Sequence, residues 1–287
     1  MSATRDTSLA VCICTMNRPG ELDACLASLL AGTVRPHQVI VSDDSSDARA
    51  SQQVALRHGG VAYQRGPRRG LGANRNACLG AVSASHVMFI DDDVRMPATA
   101  VHNALRLIAG LDGRTILSGY EINHAGGQTR KVTPHAADFL GFQHVPTSGD
   151  CRAIVINATV FPGALFHAAQ FDPRLRYGCD EIDIARHALA LGYRILYSDE
   201  LFVEHHPAPA NRQMYRRLVH ASRLYATAKA YWAYERSLSK TIAYCAVAPL
   251  HLLASAAKRG RPGMVAEAVA AVAQATRYAM EAAARRP

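Results

Sequence analysis

His86-Val-Met-Phe-Ile-Asp-Asp-Asp93 is the stretch on which the reading of this chain turns. Its apolar half has the length and composition of a buried strand. It passes without a turn residue into three carboxylates. Adjacent carboxylates repel one another unless a cation lies among them. Hard divalent ions take such oxygens and share themselves with phosphate oxygens. A solvated acidic turn has the same composition, so the position directly after a buried strand is what points to chemistry.

Working outward, the first 120 residues alternate short apolar runs with helical patterns. Leu9 to Thr15, Gln38 to Ser42, Val61 to Tyr63 and Thr115 to Ile122 read as strands. Glu21 to Ala31 carries a helical stripe. A second helix, with Asp47 as its cap, runs to about His58, and a third opens at Gly70 and ends near Ser83. Pro97 fits the first turn of a fourth. Such alternation predicts an α/β fold, a mostly parallel sheet with helices on both faces. Ligands bind such sheets at the carboxyl ends of the strands. Thr15, Asp43, Asp44, Asp91, Asp92 and Asp93 all fall there.

Beyond this, Asn123 to Pro146 reads as loop with some irregular strand, and Cys151 to Asn157 as a strand. Asp180 to Leu191 reads as a short helix with acids in its first turn. A helix N-terminus favours an ionised carboxylate, whereas burial of Glu181 opposes it; the sequence leaves that contest open. Arg194 to Tyr197 and Leu201 to Val203 read as edge strands before His205-His206.

Composition changes after Pro207. Up to His206, 19 Lys+Arg balance 20 Asp+Glu; beyond it, 13 Lys+Arg meet only 3 Asp+Glu. The net charge of +9 therefore belongs to the C-terminal part, which reads as helices. Two regions are expected, residues 1–206 and a basic helical extension, 207–287. Within the extension, Ile242 to Ala257 is apolar, contains Pro249 and is flanked by Lys240 and Lys258-Arg259. That is shorter than the roughly 20 residues of a spanning helix and predicts an interfacial or re-entrant one. With 49% hydrophobic residues the chain can build a core. Seven cysteines without framework spacing read as reduced thiols, and a polar Met1–Ser8 shows no secretory pattern. The expected location is cytoplasmic, peripheral on the inner face of the membrane.

Five segments resemble glycosyltransferase family 2, of the GT-A fold, in family order. Thr15-Met-Asn-Arg-Pro19 is similar to T-x-N-R, and Val41-Ser-Asp-Asp-Ser-Ser46 to V-x-D-D-x-S. Gly72-Ala-Asn-Arg-Asn76 resembles the segment before the metal motif, and Phe89-Ile-Asp-Asp-Asp93 the metal motif F-x-D-x-D. Phe171-Asp-Pro-Arg-Leu175 with Asp180-Glu-Ile-Asp-Ile-Ala-Arg186 parallels F-D-x-x-L and E-D-x-D-L-x-x-R. The likeness spans roughly Leu9 to His206. It implies a nucleotide-sugar site of Thr15, Asn17, Arg18, Asp43, Asp44, Arg75, Asp91 and Asp92. It implies a divalent metal, Mn or Mg, on Asp93, Asp91 and His205, and Glu181 as general base. Here Asp180 precedes Glu181 where the family has Glu then Asp, so Asp180 is the alternative base. The implied reaction is inverting transfer from a UDP-, dTDP- or GDP-linked sugar to a glycan or lipid-linked acceptor in envelope or extracellular polysaccharide assembly.

Two rivals share features. A nucleotidyltransferase uses similar sheet and metal logic but carries a Gly-rich loop where Thr15-Met-Asn-Arg-Pro19 stands. A non-enzymatic basic binder would use the C-terminal charge on nucleic acid or membrane. The tail has clustered aromatics and no recognition motif, so no nucleic acid is expected.

Overall fold

A computed structural model describes residues 7–144, 151–207, 212–260 and 263–284. At its centre lies β1 (Leu9–Thr15), every residue of which is buried. Leu9, Val11 and Ile13 point into one core while Ala10, Cys12 and Cys14 point into a second. Period-two alternation with apolar residues on both faces is what a strand covered on both sides requires. Its neighbours are β2 (Gln38–Asp43) and β4 (His86–Asp91), both parallel to it, with β3 (Val61–Arg65) parallel beyond β2. Helices α1 (Pro19–Leu30), α2 (Arg49–Arg57) and α3 (Leu71–Leu79) connect them. Pro19 occupies the first turn of α1, where its missing N–H costs nothing.

The sheet continues through β10 (Thr159–Pro162), β6 (Thr115–Ala125), β11 (Arg194–His205) and the short β5 (Val94–Arg95). β10 runs antiparallel to both β4 and β6, and β11 runs parallel to β6. Two reversals restore the direction of β4, so β11 ends on the same rim as β1, β2 and β4. Helix α4 (Ala100–Ala109) lines the first core and α5 (Asp180–Ala190) the second, where Phe89 meets Phe161, Phe166 and Phe171 edge-on.

Several expectations change. Residues 153–157 are buried, but the stretch from Cys151 to Asn157 forms no strand; a 3-10 turn at Ile156–Ala158 precedes β10 instead. The two edge strands are one strand, β11, with an irregularity between Tyr197 and Phe202. Part of the expected loop is a hairpin, in which β7 (Gln128–Val132) pairs with β6 across Gly126-Gly127. Both glycines have positive φ, 59° and 76°, the conformation that a two-residue hairpin turn demands. β7 is almost wholly exposed and polar, so no apolar pattern marked it. A minor pair, β8 (Ala136–Ala137) with β9 (Gln143–His144), follows; Val145 and Pro146 lie outside the described residues. Asp47 does not cap α2: its carboxylate accepts from the Arg49 N–H, and the cap position is Ala48. Pro97 precedes α4, its carbonyl accepting from the Ala100 N–H.

The C-terminal part comprises α6 (Arg212–Lys229), a π-helical turn at Ala230–Tyr234, α7 (Leu238–Lys258) and α8 (Met264–Ala284). A third core of Leu175, Leu224, Tyr225, Tyr231, Tyr244, Leu252 and Tyr278 holds them together. α7 is one 21-residue helix, by length and composition able to cross a membrane, and only 22% of its most apolar window is buried. Leu238, Ile242, Val247 and Leu250 are exposed on it.

Candidate functional site

The carboxyl ends of β1, β4 and β11 bring the acidic run and His205 together. The Thr15 hydroxyl at the end of β1 donates to Asp92 Oδ2 at 2.7 Å. Arg18, just before α1, ion-pairs with Asp92 and donates to Asp93 Oδ2 at 2.8 Å. Asp92 is completely buried, so its carboxylate is a strut between β4 and the β1–α1 turn. Asn17 in that turn adopts φ 60°, which Asn tolerates. Its backbone N–H donates to Ser45 Oγ at 2.7 Å and its Oδ1 accepts from the Ser46 N–H at 3.2 Å. The turn is thereby pinned to the end of β2.

There Asp43 accepts from the Tyr63 hydroxyl and the Ser45 N–H, both at 2.8 Å. Asp44 accepts from the Arg68 N–H at 2.8 Å, and burial raises its pKa. Gly66 lies against Asp44 and Asn74: a Cβ there would stand 2.2 Å from Asp44 Oδ1 and 2.3 Å from Asn74 Oδ1.

Asp91, Asp93 and His205 each offer a ligand atom within 4.8 Å of the others. The family resemblance implied these three as the metal set, and the fold brings them together. Two carboxylates and an imidazole suit a divalent ion of the Mn or Mg class, the imidazole favouring the transition metal. Cationic side chains also pair with these carboxylates. His205 Nε2 lies 3.2 Å from Asp93 Oδ1, and its Nδ1 lies 3.1 Å from Glu121 Oε1. Burial opposes charge on the imidazole, but these two carboxylates outweigh it and lift its pKa to about 10. Burial likewise opposes charge on Asp93, yet His205 and Arg18 hold it below the usual carboxylate range.

Sequence reasoning did not single out Glu121 or Asn157. Glu121 is 8% exposed on β6 and orients His205, the outer-shell role common behind metal-binding imidazoles. Asn157 accepts from the Asp91 N–H at 2.9 Å and donates to Glu121 at 3.3 Å. A carboxylate at an inward position of an apolar strand was the one available signal.

Arg75, 2% exposed on α3, joins the rim to α5: it ion-pairs with Asp91 at 3.1 Å and with Asp180. Asp183 accepts from Lys229 Nζ at 2.7 Å and from the Tyr234 hydroxyl at 3.1 Å. The same Lys229 donates to Asp172 at 2.8 Å. Two acids of the α5 first turn are thus fastened, one to α3 and one to α6. Between them Glu181 is half-buried, and its carboxylate has no hydrogen bond or ion pair to another described side chain. Burial, reinforced by the neighbouring Asp180, overcomes the helix dipole and Arg75 and raises its pKa to about 7. A carboxyl group poised there can accept a proton near neutrality.

The family model for Glycosyl transferase family 2 matches residues 10–161. A curated relative, an uncharacterized protein of Mycobacterium tuberculosis (strain CDC 1551 / Oshkosh), is 30% identical over 100 residues, covering 34% of this chain. Those residues span about a third of that relative's length, 31%. Among solved structures, GalNAc-T7 with UDP, GalNAc and Mn2+ aligns with a TM-score of 0.62 at 15% identity, over 77% of this chain and 47% of that one. The mannosyltransferase PcManGT from Pyrobaculum calidifontis, in complex with GDP-Man and Mn2+, aligns with a TM-score of 0.58 at 16% identity, over 95% and 88%. TarS of S. aureus aligns at 0.52 with 16% identity, over 81% and 44%. At such identities these likenesses establish the GT-A fold.

Proposed function

Because this chain belongs to glycosyl transferase family 2, we propose that it transfers a sugar from a nucleoside diphosphate donor to an acceptor hydroxyl, with inversion. The observation that carries this reading is the convergence of Asp91, Asp93 and His205 on one strand rim, which Arg75 joins to the first turn of α5, where Glu181 lies. In this reading the three ligands hold Mn2+ or Mg2+, which would neutralise charge developing on the leaving diphosphate. Thr15, Asn17, Asp43 and Asp44 line the nucleotide end, and Asp92 keeps the β4 turn in place through Thr15 and Arg18.

Glu181 accepts the proton from the acceptor hydroxyl as its oxygen attacks the anomeric carbon opposite the diphosphate. One displacement of that kind inverts the centre. Asp180 is the weaker candidate because Arg75 already engages its carboxylate. Arg75 instead sets the position of α5 relative to Asp91. Residues 1–206 carry this chemistry. The exposed apolar side chains of α7, with the basic residues beyond Pro207, support attachment to an anionic membrane surface and a lipid-linked or envelope glycan acceptor.

A thermal-shift screen of UDP, GDP, dTDP and CDP, each with and without Mn2+, tests the donor site. Metal-dependent stabilisation by one diphosphate is expected and identifies the donor class, because a ligand bound to the folded state raises its stability. No shift with any of them would overturn the reading.

A further inference from the structure

Away from the rim, α6, α7 and α8 form a partly open cavity of about 100 Å³ whose lining includes Arg216, His220, Arg223, His251, Arg259 and Phe142. Arg223 is only 6% exposed. Its Nη1 donates to the Leu140 carbonyl, and its guanidinium lies 4.0 Å from the Phe142 ring centroid. That contact holds the group against the ring, yet Nη2 is buried without a partner among the described residues. A buried guanidinium N–H without an acceptor is costly, and such groups in folded proteins are rarely left empty. Arg216 lies two helical turns before Arg223 on the same face of α6, and Arg259 follows the end of α7.

Among the described lining residues one acid, Glu267, faces this cluster. It lies 3.6 Å from Arg216, and its Oε1 also lacks a hydrogen bond. Burial and Arg223 depress the pKa of His220, so the arginines supply the charge, three guanidiniums against one carboxylate. A preorganised fork with a free N–H in a cationic cavity matches the oxygens of a phosphate group. Apart from Ser255, the remaining lining, including Leu252, Ala256 and Ala268, is apolar and suits whatever the phosphate is attached to.

We propose that this cavity binds the phosphate group of a phosphorylated ligand, with Arg223 as its anchor and Arg216 and Arg259 at its mouth. The site is separate from the donor rim and does not depend on the transferase reading.

Isothermal titration of the full-length protein with pyrophosphate in EDTA tests it, since chelation removes metal-dependent retention at the rim. Binding is expected in the parent protein and lost in Arg223→Gln. Arg259→Gln and Arg216→Gln, nearer the surface, are each expected to weaken it by about tenfold, the worth of one charged hydrogen bond. Those two variants keep the test decisive if Arg223→Gln does not fold. No binding by the parent, or equal affinity across the variants, overturns the proposal; the latter would mean that pyrophosphate binds elsewhere on the protein. Flotation with phosphatidylcholine vesicles, with and without phosphatidylglycerol, separates the two sources of phosphate. Loss of vesicle retention in Arg223→Gln and Arg259→Gln assigns a lipid headgroup. Unchanged retention with lost pyrophosphate binding assigns a soluble phosphorylated ligand.

Discussion

Replacing Glu181 by Gln removes the proposed proton acceptor while keeping shape and polarity. Its carboxylate bonds to no described side chain, so the rim should hold nucleotide as before. General-base removal costs roughly 10²–10⁴ in turnover. The pH profile carries further information. A base with a pKa of about 7 is active when ionised, so parent turnover should fall about tenfold per unit as pH drops below 7 and level off above it. Stability should move the other way. Between the ordinary glutamate pKa and about 7 the folded state binds more protons than the unfolded one, so stability declines as pH rises through that window. The full shift would correspond to about 3 kcal/mol, which partial exposure reduces to about 1–2 kcal/mol. Glutamine avoids this cost, and the variant should melt about 2–6 °C higher at pH 8. The assays are nucleoside diphosphate release, calorimetric nucleotide affinity and thermal melting across pH 5 to 9. Turnover within threefold of the parent would refute the assignment. So would a matching loss in Asp180→Asn without loss of stability, which would move the base to Asp180.

Three other outcomes follow from contacts. Asp93→Ala should abolish both turnover and the Mn2+-dependent part of nucleotide stabilisation; a retained Mn2+-dependent melting shift would show that the ion sits elsewhere. Lys229→Met leaves Asp172 and Asp183 buried without their shared cation and should cost about 3 kcal/mol or more in denaturant unfolding. Asp172 is held well below the usual carboxylate range, despite burial, by Arg174 and Lys229. Its contribution is present above that range and lost on acidification, so the parent should lose more stability than Lys229→Met as pH falls toward 3; parallel curves would contradict the pairing. Gly66→Ala must displace Asp44 or Asn74 and should weaken nucleotide binding by about tenfold, about 1.4 kcal/mol, in the same titration; unchanged affinity would place Asp44 outside the nucleotide site.

The rim was legible because its signals are local. Strand β4 and Asp91 to Asp93 are contiguous, and β1 and β2 end in the same kind of polar switch. His205 was named from resemblance, and the two strand reversals around β10 are what bring it to the rim. Residues 151–157 misled because Ala153 to Ile156 are apolar and buried, which suggests a strand. Their burial instead serves a 3-10 turn that aims Asn157 at Asp91 and Glu121. Lys229 with Asp172 and Asp183 joins residues 46 and 57 positions apart, and no spacing rule reaches that far. The contest at Glu181 between dipole and burial depended on packing, which only the fold supplies.

The Lys229 bridge bears on how this protein can be shortened. A deletion beginning at Pro207, where composition changes, would remove the cation shared by Asp172 and Asp183 and expose two carboxylates built for an interior. The helix that presents Glu181 would lose a fastening at its first turn. A shortened form that keeps this geometry is better sought by ending after the π-helical turn at Ala230–Tyr234 and replacing apolar side chains left bare by the loss of α7 and α8. Charge composition marks where the sequence changes character, whereas the unit that must be inherited together extends one helix further.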